Sequence, residues 1–264
     1  MRMPWLVRFL AKPDLHPIWL ARFLAEPDLH PNGTGHGPHP AGPPHFGGRH
    51  LPRTPHPTPD ELGLGWLYHG LVRLCKPQCV VCIGSGRGFA PMLMAKGLKD
   101  LGSGVLHFID PSFDDDFWMD PRRTRAWFSR FGVQNVITHH LMTAEEFTRT
   151  DAFERLPPVN LLNINGGHVY EAVKADFESF IPKLAPRGIV LFHDTMSRSR
   201  NPLWWGPRRL LLELEQAPSF HQSFQVFDFP FGAGLTILQH RDPATTDSCL
   251  DELSLAWKGG ESEF

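Results

Sequence analysis

The sequence predicts an α/β protein built on a doubly wound, seven-stranded, mostly parallel sheet with a helical N-terminal extension. Three observations predict it. From residue 62 onward, short apolar runs alternate with amphipathic segments, the pattern of repeated strand–helix–strand units with right-handed crossovers. A glycine-rich bend at 84–88 follows the first apolar run directly, where such a sheet places its ligand. Two runs at 223–229 and 234–239 read as a closing hairpin, which adds to five parallel strands.

A helix is expected at 62–74, a strand at 79–83, and a helix from the bend to about 101. Strands at 105–109, 136–140, 159–164 and 189–192 alternate with helices at 121–131, 144–153, 170–184 and 207–216. The expected domain thus spans 62–240, with a polar, acidic tail at 241–264.

Ahead of it, residues 1–31 hold a tandem repeat of period 14, in which Trp5, Leu6, Phe9 and Leu10 recur as Trp19, Leu20, Phe23 and Leu24. Each copy makes one apolar helical stripe, ended after about two turns by Pro13 or Pro27. Helices this short need a surface to cover, so the repeat is expected to pack on the domain or pair two copies as a homodimer, with a lid over the substrate site as the other reading. Residues 32–61 are rich in Gly, Pro and His and read as a linker.

Composition narrows the partners. The chain has 264 residues, 41% apolar and 20% charged, with a formal net charge of -2 and no basic run. A small-molecule substrate is therefore expected, not nucleic acid or a membrane surface. No stretch of 18 apolar residues occurs, and Arg8, Lys12 and Pro13 interrupt the N-terminus early, so neither a membrane span nor a secretory signal is expected. Cys79 and Cys82 form a C-x-x-C spacing inside an apolar strand. Residues three apart on a strand face opposite ways, which favours reduced core thiols in a cytoplasmic protein over a metal pair.

The bend reads G-x-G-x-G, with Gly84, Ser85, Gly86 and Gly88 followed by Phe89. A dinucleotide fingerprint needs Gly or Ala one position later, and a phosphate-cradling Walker loop needs Gly-Lys-Ser/Thr. The spacing therefore points to S-adenosylmethionine (SAM) over NAD or ATP. Asp110 ends the second strand before Pro111 and can accept hydrogen bonds from both ribose hydroxyls; the plainer reading is a turn aspartate. Thr143 and Ala144, after the third strand, fall where an adenine edge would be read.

The segments Val80–Ala90 and His107–Pro111 resemble the first two motifs of class I SAM-dependent methyltransferases. Residues 163–176 and 184–195 resemble one subgroup of that class, which holds sugar and macrolide O-methyltransferases and the cephalosporin hydroxylase-like proteins. Its pattern is I-D-G-x-H-x-Y, then G-G-hydrophobic-H/E-D-T. The resemblance spans about residues 66–240 and implies a SAM-dependent O-methyltransferase acting on a small hydroxylated metabolite.

Such chemistry needs a group that removes a proton from the acceptor. His168, after the fourth strand, suits a general base near neutral pH; a loop histidine bonded to backbone is the structural alternative. Asp194 is the second catalytic candidate, and its plainer reading is a carboxylate that orients a neighbouring histidine or caps the next helix. The resemblance implies Mg²⁺ at Asn165, His193 and Asp194, and SAM contact at Asn165. Mg²⁺ favours anionic oxygens, of which only Asp194 is one. Cys82 stands where the class usually carries an acid, and Gly167 where many relatives carry another. These departures keep open a methyltransferase fold without methyl transfer, serving as a partner subunit or with a repurposed pocket. An NAD-dependent oxidoreductase is disfavoured by the glycine spacing. Trp204 and Trp205 are candidates to line the acceptor pocket.

Overall fold

A computed structural model describes residues 59–113, 116–196 and 205–241. The tandem repeat at 1–31, nearly all of the linker, Trp204 and the tail beyond Arg241 lie outside the described residues. The chain divides after Leu64 into two units, and the whole sheet belongs to the second, which begins at Gly65.

The described elements are α1 (Pro59–Cys75), β1 (Cys79–Ile83), α2 (Phe89–Leu101), β2 (Val105–Ile109), α3 (Pro121–Arg130), β3 (Ile137–His140), α4 (Ala144–Thr148), α5 (Asp151–Glu154), β4 (Val159–Ile164), α6 (Tyr170–Phe180), β5 (Leu184–His193), α7 (Gly206–Glu215), α8 (Pro218–Ser223), β6 (Phe224–Phe229) and β7 (Leu235–His240). Single 3₁₀ turns stand at Phe117–Met119 and Ile181–Lys183. One sheet of seven strands runs β3-β2-β1-β4-β5-β7-β6. The first five strands are parallel, and β7 pairs antiparallel with both β5 and β6. This is the expected doubly wound sheet.

Its residue patterns explain the layers. All five side chains of β1 are buried, as a central parallel strand covered on both faces requires. Val81, Ile83, Leu162, Ile164, Val190 and Phe192 join Phe177 and Phe180 of α6 in one core. Cys79 belongs to that core, whereas Cys82 receives a hydrogen bond from Asn163. The two thiols therefore serve opposite faces of β1 and form no pair.

Three elements differ from expectation. The helix expected at 144–153 is two short helices, because the Thr150 side chain accepts the Phe153 N–H and caps a new start. Helix α6 ends at Phe180, where Pro182 sits in the 3₁₀ turn beyond it. Strand β5 begins at Leu184, five residues before the expected 189. Its pairing with β4 shifts register between Val159 and Leu161, and Arg187 adopts φ 60. This bulge accommodates Pro186 and Gly188, which hide the strand from an apolar-run reading.

At the carboxyl edge of the sheet, the loops after β1 and β4 touch. Gly84 has φ 64, and a Cβ there would lie 2.4 Å from Gly166 Cα and 2.5 Å from Asn165 O. Gly102 has φ 75 with nothing within 4 Å. Gly84→Ala should therefore lose about 2–4 kcal/mol, from strain plus overpacking, and Gly102→Ala only about 1 kcal/mol, from strain alone. Urea unfolding of both variants checks this, and equal losses would contradict the close approach.

Candidate functional site

The bend after β1 is tied to both neighbouring strands. Gly84 N–H donates to Ile109 O at 2.8 Å, and Asn165 N–H donates to Ile83 O at 2.9 Å. Gly84, Gly86 and Gly88 all have positive φ. Gly88 then hands the chain to α2, and Ser85 Oγ accepts the Ala90 N–H at 3.2 Å. This places Gly84, Ser85, Gly86 and Gly88 at the carboxyl end of β1, where a doubly wound sheet binds ligand.

Asp110 stands beside the bend at the end of β2 and is 8% exposed. Its Oδ1 accepts the Ser112 N–H at 2.7 Å across Pro111, a turn that fixes the carboxylate at the strand end. His139 Nε2–H donates to Asp110 O at 3.2 Å from β3. Trp118, unforeseen from the sequence, closes the other flank. Its indole N–H donates to Gly86 O at 2.7 Å, while its ring stacks on Phe128 and meets Phe108 edge-on. A lone Trp in an acidic loop offers no sequence signal for that role.

Cys82 and Asn163 form a polar couple within the apolar sheet. They are register partners on β1 and β4. Asn163 Nδ2 donates to Cys82 Sγ at 3.2 Å, and the thiol reaches Gly84 O at 3.5 Å. Burial pushes the Cys82 thiol up to about 12, so it stays neutral where the resembling class carries an acid. Asn163 is fully buried, and its Oδ1 has no hydrogen-bond partner among the described residues. The signal was available: each residue interrupts an apolar run one position before the end of its strand.

The ends of β4 and β5 bring three predicted residues together. His168 Nε2 lies 2.6 Å from Asp194 Oδ2, and His193 Nδ1 lies 2.9 Å from the same oxygen. Burial opposes ionisation of Asp194, but the His193 and His168 imidazoles together hold its carboxyl well below the usual range. Asp194 also adopts φ 60. Gly206 seats the other side of this loop, donating its N–H to His168 O at 3.0 Å. A Cβ on Gly206 would lie 2.3 Å from that oxygen, so the start of α7 is pressed onto the histidine's backbone.

Asn165, His193 and Asp194 do not suit Mg²⁺. The sole carboxylate is already shared by two imidazoles, and the other donors are a neutral amide and a softer nitrogen. Among the described residues no cluster of three or more His, Cys, Asp or Glu converges as metal ligands. Thr143 caps α4: its hydroxyl accepts the Glu146 N–H, and Glu146 returns the bond to the Thr143 N–H at 2.8 Å. The backbone at Thr143 and Ala144 comes after β3 at the same sheet edge as Asp110.

One acid here carries no signal in the sequence pattern. Asp176 of α6 lies beneath the loop after β4: a Cβ on Gly166 would sit 3.4 Å from its Oδ2 and 3.4 Å from Ile83 Cγ2. Burial pushes its carboxyl up to about 7. The folded state thus holds this proton more tightly than the unfolded chain. Its contribution favours folding below the ordinary aspartate value and is lost as pH rises toward about 7. Asp176→Asn should therefore stabilise the protein by about 1–3 kcal/mol at pH 8 and far less at pH 4. Urea titrations at both pH values test it; a pH-independent difference would contradict the buried acid.

Residues 81–195 match the family described as "Methyltransferase domain", and the seven-stranded α/β fold is the one that solved methyltransferases share. The uncharacterized protein y4gI of Sinorhizobium fredii is 32% identical over 148 residues, covering 50% of this chain. The match spans only 15% of that protein's length. A candidate O-methyltransferase from Klebsiella pneumoniae shares the fold at TM-score 0.60 and 14% identity, covering 90% of this chain and 95% of that one. The O-methyltransferase from Bacillus cereus, solved with S-adenosylhomocysteine (SAH), aligns at TM-score 0.54 and 15% identity over 68% of this chain and 81% of its own.

Proposed function

We propose that this chain is a SAM-dependent O-methyltransferase acting on a small hydroxylated metabolite. One observation carries the reading. The His168–Asp194 pair, 2.6 Å apart, stands at the ends of β4 and β5 on the same sheet edge as the glycine bend and Asp110 at the ends of β1 and β2. A base and a nucleoside cradle are thereby neighbours. The SAH held by the Bacillus cereus relative supports the cofactor.

When bound, SAM supplies a methyl group already activated on a sulfonium. The residues of this chain then position and deprotonate. The bend at Gly84, Ser85, Gly86 and Gly88 admits the close approach of a nucleoside. Asp110 accepts from the ribose hydroxyls, with Pro111 fixing the turn, and the backbone at Thr143 and Ala144 borders the adenine. Asn165 offers its amide toward the methionine end. With Nε2–H given to Asp194, the basic lone pair of neutral His168 lies on Nδ1. His168 takes the acceptor's hydroxyl proton as the oxygen attacks, and the anionic Asp194 stabilises the resulting imidazolium. No step runs through a metal.

A natural product or sugar-like acceptor, a cytoplasmic setting and pairing of two copies through the 1–31 repeat belong to the same reading. No described helix is long and apolar enough to cross a membrane. The neutral Cys82 thiol favours a second reading, in which the fold keeps its pocket without transferring methyl groups.

Calorimetric titration with SAM and SAH decides first: binding is expected, and none at millimolar ligand would overturn the cofactor. His168→Ala should lower kcat about 10²–10⁴-fold while the SAM affinity stays within about twofold; unchanged turnover would remove His168 as the base. EDTA should leave turnover within about twofold, since the donor set does not suit a hard cation.

A further inference from the structure

A cleft of about 270 Å³ is lined by Thr195, Met196, Trp205 and Arg208. Its position comes from the chain: Thr195 and Met196 directly succeed Asp194, and Trp205 and Arg208 flank Gly206, which bonds the His168 carbonyl. Both walls are anchored. Met196 N–H donates to Ala233 O at 2.8 Å, and Gly234 packs so closely that a Cβ there would meet Met196 N at 2.5 Å. A typical small-molecule pocket holds roughly 300–1,000 Å³, so this cleft suits a single-ring compound.

Its charge is unusual for a helix start. The ten-residue α7 has no acidic side chain in its first turn and no side-chain cap. That turn instead carries Arg208 and Arg209, adding positive charge to the positive end of the helix dipole. Arg209 lies over the Tyr170 ring at 4.1 Å. Arg208 is half-buried, its side chain 33% exposed, and reaches Asp228 Oδ2 only at 3.5 Å. Asp228 Oδ1 in turn accepts the Thr236 hydroxyl. The guanidinium is thus held at one nitrogen and keeps further donors for a planar anion. A second observation points to a ligand. Thr195 is 1% exposed, and its hydroxyl has no partner among the described residues, a state that costs stability unless something answers it. Trp205, 49% exposed, offers an indole face beside the guanidinium.

We propose that the acceptor is a carboxylate-bearing, single-ring hydroxy compound, its carboxylate bound by Arg208 and its ring covered by Trp205. The proposal deepens the methyltransferase reading and rests on it for the role of the hydroxyl.

The test is calorimetric titration of the full chain, with and without SAH, using 3,4-dihydroxybenzoate and its neutral counterpart catechol. Dihydroxybenzoate should bind at least about tenfold tighter, raised salt should narrow the gap, and Arg208→Gln should erase it while SAH affinity is unchanged. Equal binding of the two probes, binding of neither, or a preference that survives Arg208→Gln overturns the proposal. If the variant does not fold, the wild-type pair of titrations at two salt concentrations still decides. SAH binding without an anion preference sinks this inference alone, whereas absent SAH binding sinks the cofactor reading.

Discussion

Two backbones meet at the carboxyl edge of this sheet with no room for a methyl group between them. Gly84 and Gly166 occupy that contact, and a Cβ on the first would stand 2.4 Å from the second. The contact matters because each loop carries half of the candidate site. The loop after β1 forms the glycine bend, and the loop after β4 carries Asn165 and His168. Backbone bonds from Gly84 to Ile109 and from Asn165 to Ile83 lock both loops to the strands beside them. The spacing of the two loops is therefore set by main chain, which side-chain rotamers cannot relax.

Around that contact, polar groups are placed with unequal satisfaction. Asp194 is shared between two imidazoles and kept anionic. Asp176, below the same loop, has no cation to hold it among the described residues, and burial favours its protonated form. The Cys82–Asn163 couple stands between these cases, because the amide answers the thiol but its own oxygen stays unanswered. Two carboxyls near one loop thus titrate in opposite directions for a simple reason. One is bonded by two imidazoles, and the other has only burial.

Much of the architecture was legible from the alternation of apolar runs with amphipathic segments, and the glycine bend fixed where to look. Gly84, Asp110, His168 and Asp194 sit at one edge because strand ends in this topology converge there, which is a rule about strands more than about individual residues. What stayed hidden depends on tertiary context. The bulge at Arg187 and Gly188 conceals half of β5 behind residues that discourage strands. Trp118 caps Gly86 through a fold-back of the loop after β2 that no periodicity encodes. Arg208 reads as an ordinary helical arginine until α7 is seen to begin against the His168 carbonyl. That Asp194 is the sole carboxylate among Asn165, His193 and Asp194 could be read from residue types alone, while its sharing between two histidines required the folded chain.

The position of β7 bears on how the chain is made. It is the last described strand in sequence, yet it lies inside the sheet, hydrogen-bonded to β5 on one side and β6 on the other. During synthesis, β5 therefore emerges with an unpaired edge that nothing earlier in the described chain can cover. That edge stays open until residues 235–240 clear the ribosome. Unpaired edges template association with other chains, so the nascent sheet depends on its last described strand for protection of that edge.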